Sequence, residues 1–437
     1  MVQLSNRLWK TKPLDCWQKV KELRLNHYKE VATAKQDGKL LVSGSATWGM
    51  TVPAGLGDHV FLSGEPYGAS IGFDPHFAQE CAEASEAHGL ARDLCAYMRN
   101  YWGSMYLDKY LWGGPFPKPD FYLTYHMCDS HAKWYQIASE HTGAPLFAID
   151  WPVGAYGENR EARIKYVAEQ TWDAIEWMEK VTGRTYDDEK FIEAIHNECE
   201  GIQYFSEALA MNVAIPAPLD QKSQLTLYTP AVLCKQTKEA RDFYKLLRDE
   251  VKDRVDYQIA ALATERFRIW HDNIPPWFFL RLFRNMEQFG AACVGSFYLL
   301  IFAQFNLAED GKQWIPARTP KQLGIDLKDR ESAVNFYSQW VIDNPGMDMF
   351  HLAQTKIDHL INLIHQFHCG AMVMHLNRGC EGHAQYQLEF RLGVQKAGIP
   401  VLTYEGNMAD KREFDESQTI DRLEAFMESL GLHKLDL

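Results

Sequence analysis

The segment Phe121-Tyr122-Leu123-Thr124-Tyr125-His126-Met127-Cys128-Asp129-Ser130 sets the reading of the chain. Its first five residues are aromatic, aliphatic or β-branched, the composition of a buried strand. His126 to Ser130 supplies a turn, and Asp129-Ser130 are residue types that cap a helix start. Ala132 to Glu140 then takes helical spacing, and Pro145 to Asp150 is a second short strand. Strand, turn, helix, strand is the repeating unit of a parallel α/β sheet.

The pattern extends in both directions. Upstream, Lys39 to Ser43 and His59 to Ser63 read as strands, and Asp74-Pro75 opens a helix running towards Ala91. The Pro follows an Asp cap, where its missing N–H costs nothing. Downstream, Arg266 to Trp270, Ala291 to Ser296, Ala371 to His375 and Pro400 to Tyr404 read as strands. Helices are expected at Pro276 to Phe289, Lys356 to Phe367, Gln385 to Ala397 and Asp415 to Leu430. Between the two α/β patterns, Glu161 to Thr264 is mostly helical, interrupted at Ala214 to Leu219. The expected fold class is α/β, with two parallel-sheet (Rossmann/flavodoxin-like) lobes. The expected divisions are a helical arm over 1–35, a first lobe over 36–185, a helical connection over 186–263 and a second lobe over 264–437.

Charge and composition exclude several function classes. With 45 basic against 58 acidic residues the net charge is −13, and no Lys/Arg run stands out. Phosphate-driven nucleic-acid binding is not expected. No stretch reaches the length of a membrane span, and the start lacks a signal-peptide core, so a cytoplasmic location is expected. In a reducing compartment the nine cysteines are thiols or metal ligands rather than disulfides. No phosphate-binding G-x-x-x-x-G-K-[ST] is present, and no G-x-G-x-x-G opens a helix, so any ATP step belongs to another chain. Gly68-Ala69-Ser70-Ile71-Gly72 fits G-x-S-x-G, but its spacing from the preceding strand reads as a loop lining a pocket rather than a nucleophile elbow.

Cys128 and Cys380 each follow a predicted strand, at the edge where open α/β sheets bind ligands. A thiolate there gains from helix amides and the helix dipole. Two such cysteines in two lobes point to one ligand set across a cleft. Cys95, in Leu94-Cys95-Ala96-Tyr97, reads by itself as a core thiol.

Pro119-Asp120 before a strand, Cys128-Asp129-Ser130, and Asn377-Arg378-Gly379-Cys380 with Gln385-Tyr386 and Gly398-Ile399-Pro400-Val401-Leu402 resemble motifs of the 2-hydroxyacyl-CoA dehydratase and benzoyl-CoA reductase family. Cys95 with Arg99 resembles that family's first cysteine motif, and the match extends into the tail at Glu405-Gly406, Asp410 and Phe414. The resemblance implies a 4Fe-4S cluster held by Cys95, Cys128 and Cys380, with one iron left open. It implies a homologous second cluster-bearing subunit, ATP-hydrolysing iron-sulfur activator subunits and reduced ferredoxin as donor. Gly64-Glu65-Pro66-Tyr67-Gly68-Ala69, Phe116-Pro117-Lys118-Pro119-Asp120 and the segment from Cys128 to Tyr135 look most like the B-type subunit of ATP-dependent benzoyl-CoA reductase. The first expectation is therefore reduction of an aryl-CoA substrate to a cyclic diene. The alternatives are a 2-hydroxyacyl-CoA dehydratase forming enoyl-CoA by a ketyl-radical mechanism, and a non-catalytic electron-relay subunit. His126 and His131, which flank Cys128, are candidate proton donors or else structural histidines; Glu65 and Tyr67 are candidate pocket residues.

Overall fold

The computed structural model describes residues 7–46, 49–152, 158–350 and 352–435. Its arm is not wholly helical, and its first six residues lie outside the described ones. A two-residue strand β1 (Lys10–Thr11) pairs in parallel with β6 (Ile259–Ala260), ahead of helix α1 (Trp17–Thr33). Polar Lys and Thr gave no strand pattern, because the pairing is made by a segment some 250 residues away rather than by local alternation.

The first lobe is a four-stranded sheet of β2 (Leu40–Gly44), β3 (His59–Ser63), β4 (Phe121–His126) and β5 (Leu146–Asp150). The second contains β7 (Phe267–Asp272), β8 (Ala291–Ser296), β11 (Ala371–Asn377) and β12 (Val401–Gly406). A short antiparallel pair, β9 (Asn306–Leu307) with β10 (Trp314–Ile315), is inserted between β8 and β11. Both main sheets are parallel at every pairing. Their orders are β3-β2-β4-β5 and β12-β11-β7-β8. Numbered within each lobe, both read 2-1-3-4, so each lobe reverses its winding between its first and third strands. That reversal opens a crevice at the carboxyl ends of the strands.

The crossings are helical. Helices α2 (Gly64–Gly72), α3 (Pro75–Ala87) and α4 (Ala96–Tyr106) lie between β3 and β4, and α5 (Asp129–Thr142) joins β4 to β5. Asp74 caps α3 by accepting from the His76 and Phe77 amides at 3.1 Å, and Gly143 at φ +74° ends α5 in a left-handed cap. Beyond β5, α6 (Arg160–Thr182) and α7 (Asp188–Ala210) begin the helical stretch, which continues to Asp256. The second-lobe helix expected over Gln385 to Ala397 runs from Gln387 to Lys396, and a separate one-turn helix, Glu381–Ala384, precedes it, with Tyr386 at φ +58° between them.

The G-x-S-x-G segment is the end of helix α2, not a loop. Its glycines serve packing: a Cβ on Gly68 would stand 2.5 Å from the Tyr97 carbonyl oxygen, so only glycine lets α2 lie directly on α4. Ser70 donates to or accepts from the Tyr28 hydroxyl at 3.0 Å, which accounts for its polarity without a catalytic role. Gly44, at the end of β2, has a similar constraint, since a Cβ there would meet the Leu123 carbonyl oxygen at 1.8 Å.

Arg99 clamps the two lobes. It is 1% exposed, donates from Nε to the Leu94 carbonyl at 3.1 Å and from Nη1 to Asp410 Oδ2 at 3.1 Å. Asp410 follows β12, so the guanidinium ties the helix behind Cys95 to the second lobe. No helix among the described residues is long and apolar enough to cross a membrane.

Candidate functional site

The two crevices face one another across a single cavity of about 790 Å³, including its open mouth. Residues just past the first and third strands of each lobe reach it: Ala46 and Cys128 from the first lobe, Ile274 and Cys380 from the second. Cys95 completes the set from the N-terminus of α4. Each of the three cysteines is the residue immediately before a helix: α4, α5 and the one-turn helix Glu381–Ala384. Backbone amides therefore turn towards sulfur, from Tyr97 and Met98 to Cys95, from His131 to Cys128, and from His383 to Cys380 at 3.5 Å. Positive helix ends and amide donors favour an anionic group among them.

The three cysteine loops are fastened to one another. The Ala96 amide, next to Cys95, donates to the carbonyl of Gly379, next to Cys380, at 3.0 Å. Ser130 in the Cys128 loop donates to Glu381 Oε2 at 3.0 Å. Trp277 of the second lobe donates to the Tyr97 hydroxyl. All nine cysteines are free thiols. Burial pushes the Cys95 thiol up to about 11, Cys128 to about 12 and Cys380 well above the ordinary value; the local amides oppose it. Cys95 and Cys128 also act on Cys380 electrostatically, as groups sharing one low-dielectric space do. A metal binding there must displace the thiol protons.

Among the described residues no three Cys, His, Asp or Glu side chains converge as a single-ion site would require. A multi-iron cube differs from a single ion in this respect, because each thiolate binds a different iron and the sulfurs stay apart.

Five of the seven sequence-derived candidates border the cavity: Cys95, Cys128, Cys380, Glu65 and His131. Glu65 Oε1 lies 2.7 Å from His131 Nε2, and Glu65 Oε2 accepts from the Ala46 amide at 2.9 Å. Burial raises the Glu65 carboxyl, but the His131 ring and the amides outweigh it and hold the group below its usual range. His131 Nδ1 is buried and without a hydrogen-bond partner among the described residues. His126 does not border the cavity. It is 40% exposed and pairs with Asp150 at 3.0 Å, as the last residue of β4 facing the neighbouring strand end. Tyr67 does not reach it either: it is a fully buried residue of α2, bonded to Ser104 Oγ at 2.6 Å and stacked on Tyr110.

Sequence reading missed several lining residues. Glu381 and His383 sit in the turn after Cys380, where capping logic could have found them. Burial, then the charge of Lys356, pushes the His383 imidazole well below its ordinary value. Tyr228 and Tyr298 come from the helical connection and from the segment after β8, and with Tyr97, Trp134 and Phe302 they give the cavity aromatic walls. No local signal marked them, since each sits in an apolar segment like any core aromatic.

Residues 66–430 match the family described as 2-hydroxyglutaryl-CoA dehydratase, D-component. Among similar proteins, the (R)-2-hydroxyisocaproyl-CoA dehydratase alpha subunit of Clostridioides difficile is 25% identical over 365 residues, covering 81% of this chain and 82% of the relative. The (R)-phenyllactyl-CoA dehydratase alpha subunit of Clostridium sporogenes is 25% identical over 360 residues, 82% and 81% of the two chains. The lactoyl-CoA dehydratase subunit alpha of Anaerotignum propionicum is 23% identical over 370 residues, 81% and 82%. With a match that runs through the cavity loops and most of both lobes, the chain belongs to the 2-hydroxyglutaryl-CoA dehydratase, D-component, family.

Proposed function

We propose that the chain is the cluster-bearing subunit of a 2-hydroxyacyl-CoA dehydratase, acting in the cytoplasm beside a homologous subunit. ATP-hydrolysing iron-sulfur activator subunits, reduced by ferredoxin, would feed it electrons. The observation that carries this reading is the meeting of Cys95, Cys128 and Cys380, each just before a helix, at one cavity between the lobes. The relatives' names favour dehydration over the ring reduction that the motif resemblance puts first.

The donor set fits a 4Fe-4S cluster. Three soft thiolates are available where four would saturate it, and amide donors surround the sulfurs. Held by Cys95, Cys128 and Cys380, such a cluster would supply low-potential electron chemistry to an acyl-CoA thioester. The remaining tasks fall to the protein. The aromatic walls exclude water and hold the acyl group. Glu65 keeps the His131 ring in place through Nε2, leaving Nδ1 to take or give the proton that dehydration moves. The Ala96–Gly379 and Ser130–Glu381 links hold the three sulfurs in register across the lobes.

A second reading, aryl-CoA reductase, is favoured by Trp134, Phe302 and the three tyrosines, whose faces suit an aromatic ring. A non-catalytic relay subunit is disfavoured by a cavity large enough for an acyl group. The test is iron and acid-labile sulfide in the anaerobically purified complex. Cys95→Ala, Cys128→Ala and Cys380→Ala should each lose iron, while Cys369→Ala, outside the cavity lining, should keep it. Unchanged iron in all four would overturn the cluster assignment. Turnover then separates the activities: the dehydratase forms enoyl-CoA with catalytic ATP, whereas the reductase consumes ATP at every turnover.

A further inference from the structure

The three cysteines are not supported alike. Cys95 and Cys128 precede helices of 11 and 14 residues, α4 and α5, which are long enough to hold their own first turns. Cys380 precedes only the four residues Glu381–Ala384, and the backbone turns away at Tyr386, φ +58°. A single turn fixes several backbone angles for one hydrogen bond and does not hold itself. Its last carbonyls also lack partners within the turn. The His383 amide, which donates to Cys380 Sγ at 3.5 Å, must therefore be aimed from outside.

Two side-chain amides grip the turn through the His383 carbonyl. Asn273 Nδ2 donates to it at 3.1 Å and Gln387 Nε2 at 3.2 Å. Asn273 directly follows β7, is 1% exposed and stands at φ +73°, a left-handed conformation that asparagine tolerates better than most side chains. Its Oδ1 accepts from the Ile274 amide at 2.7 Å, which fixes the side chain with Nδ2 on the turn. Both flanks of Asn273 are pinned. Asp272 pairs with buried Lys356 at 3.1 Å, and the Ile274 carbonyl meets His375 Nδ1 at 2.6 Å.

We infer that Asn273 is a positioning residue for Cys380: held left-handed at the end of β7, it fixes His383 so that the His383 amide stays on the sulfur. The inference rests on the cluster reading above. Its effect on the sulfur passes through His383, with Gln387 as the second support. Hydrogen bonds to the sulfurs help set a cluster's reduction potential, because a donor stabilises the more negative, reduced state. Asn273 therefore raises the potential at which a cluster on Cys380 takes up its electron.

The experiment is a redox titration of the anaerobic holo-complex, followed by the electron paramagnetic resonance of the reduced cluster. Asn273→Gly keeps the left-handed backbone and removes the donor. It should retain iron, shift the midpoint to a more negative value, and speed amide hydrogen exchange in peptides spanning Cys380 to Gln387. Gln387→Ala should move the midpoint the same way, and the double variant further. Should Asn273→Gly lose its iron, Asn273→Asp, which keeps the acceptor for the Ile274 amide and loses only the donor, is read in its place. Asn212→Ala is the control for lost packing. It removes another buried asparagine, bonded to the Leu219 and Val294 carbonyls and outside the cavity lining, and should leave the midpoint unchanged. A wild-type midpoint in the Asn273 variant, or an equal shift in Asn212→Ala, overturns the inference while the cluster reading stands. A wild-type complex without iron or a cluster signal overturns both.

Discussion

Replacing Arg99 by Met tests whether the two lobes are held by one buried charge. The guanidinium donates to the Leu94 carbonyl and to Asp410, both at 3.1 Å, and a second carboxylate, Glu86, lies 3.5 Å away. Methionine keeps much of the apolar stem but leaves the Leu94 carbonyl unpaired, at a cost of about 1 kcal/mol, and removes a charged hydrogen bond from Asp410, at about 2 kcal/mol. Breaking a buried pair outright costs about 3–5 kcal/mol. The lower figure applies here, because Arg412 still grips Asp410 at 2.7 Å. The expected loss is therefore about 3 kcal/mol. A double-mutant cycle with Asp410→Asn, read by anaerobic denaturant unfolding, should return a coupling of about 1–3 kcal/mol. The pH dependence gives a second readout. Burial raises the Asp410 carboxyl, but hydrogen bonding from Arg412 and the charge of Arg99 outweigh it and hold the group below its usual range. A depressed carboxyl contributes stability that is present above its unfolded value and lost as pH falls through its folded value, so the wild type should weaken from about pH 4 downward. Arg99→Met should show a shallower slope there. Zero coupling together with an unchanged acid slope would refute the clamp. Because Cys95 immediately precedes α4, which carries Arg99, iron should also leave the variant faster.

Gly44→Ala should prevent folding of the first lobe, since its Cβ would stand 1.8 Å from the Leu123 carbonyl oxygen and neither strand can move aside; a soluble variant with wild-type unfolding would contradict this. Glu198→Ala should destabilise by about 3–5 kcal/mol, because Glu198 is 1% exposed and pairs with Lys235 at 2.8 Å and with Trp340 Nε1 at 3.1 Å. Thermal unfolding measures the loss, and Glu198→Gln should recover part of it. Ser130→Ala, which cuts the link to Glu381, should leave global stability within about 1 kcal/mol of wild type yet shorten the lifetime of bound iron, followed by the decay of its visible absorbance.

The sequence by itself determined the two parallel α/β units and put Cys128 and Cys380 at strand ends. Runs such as Phe121 to Tyr125 and Ala371 to Met374, bounded by turn and capping residues, carry that information locally. Family motifs added Cys95, which its neighbours alone would have left in the core. Only the tertiary structure decided that both lobes share the 2-1-3-4 strand order and turn their crevices towards one another. It decided that the glycines of Gly64–Gly72 serve helix packing rather than a loop, that His126 pairs with Asp150 outside the cavity, and that Tyr228 and Tyr298 wall it. The reason is physical. Side-chain periodicity records what each segment buries, but not which distant segment it is buried against. The cavity is made where residues as far apart in the chain as Ala46 and Met408 come together.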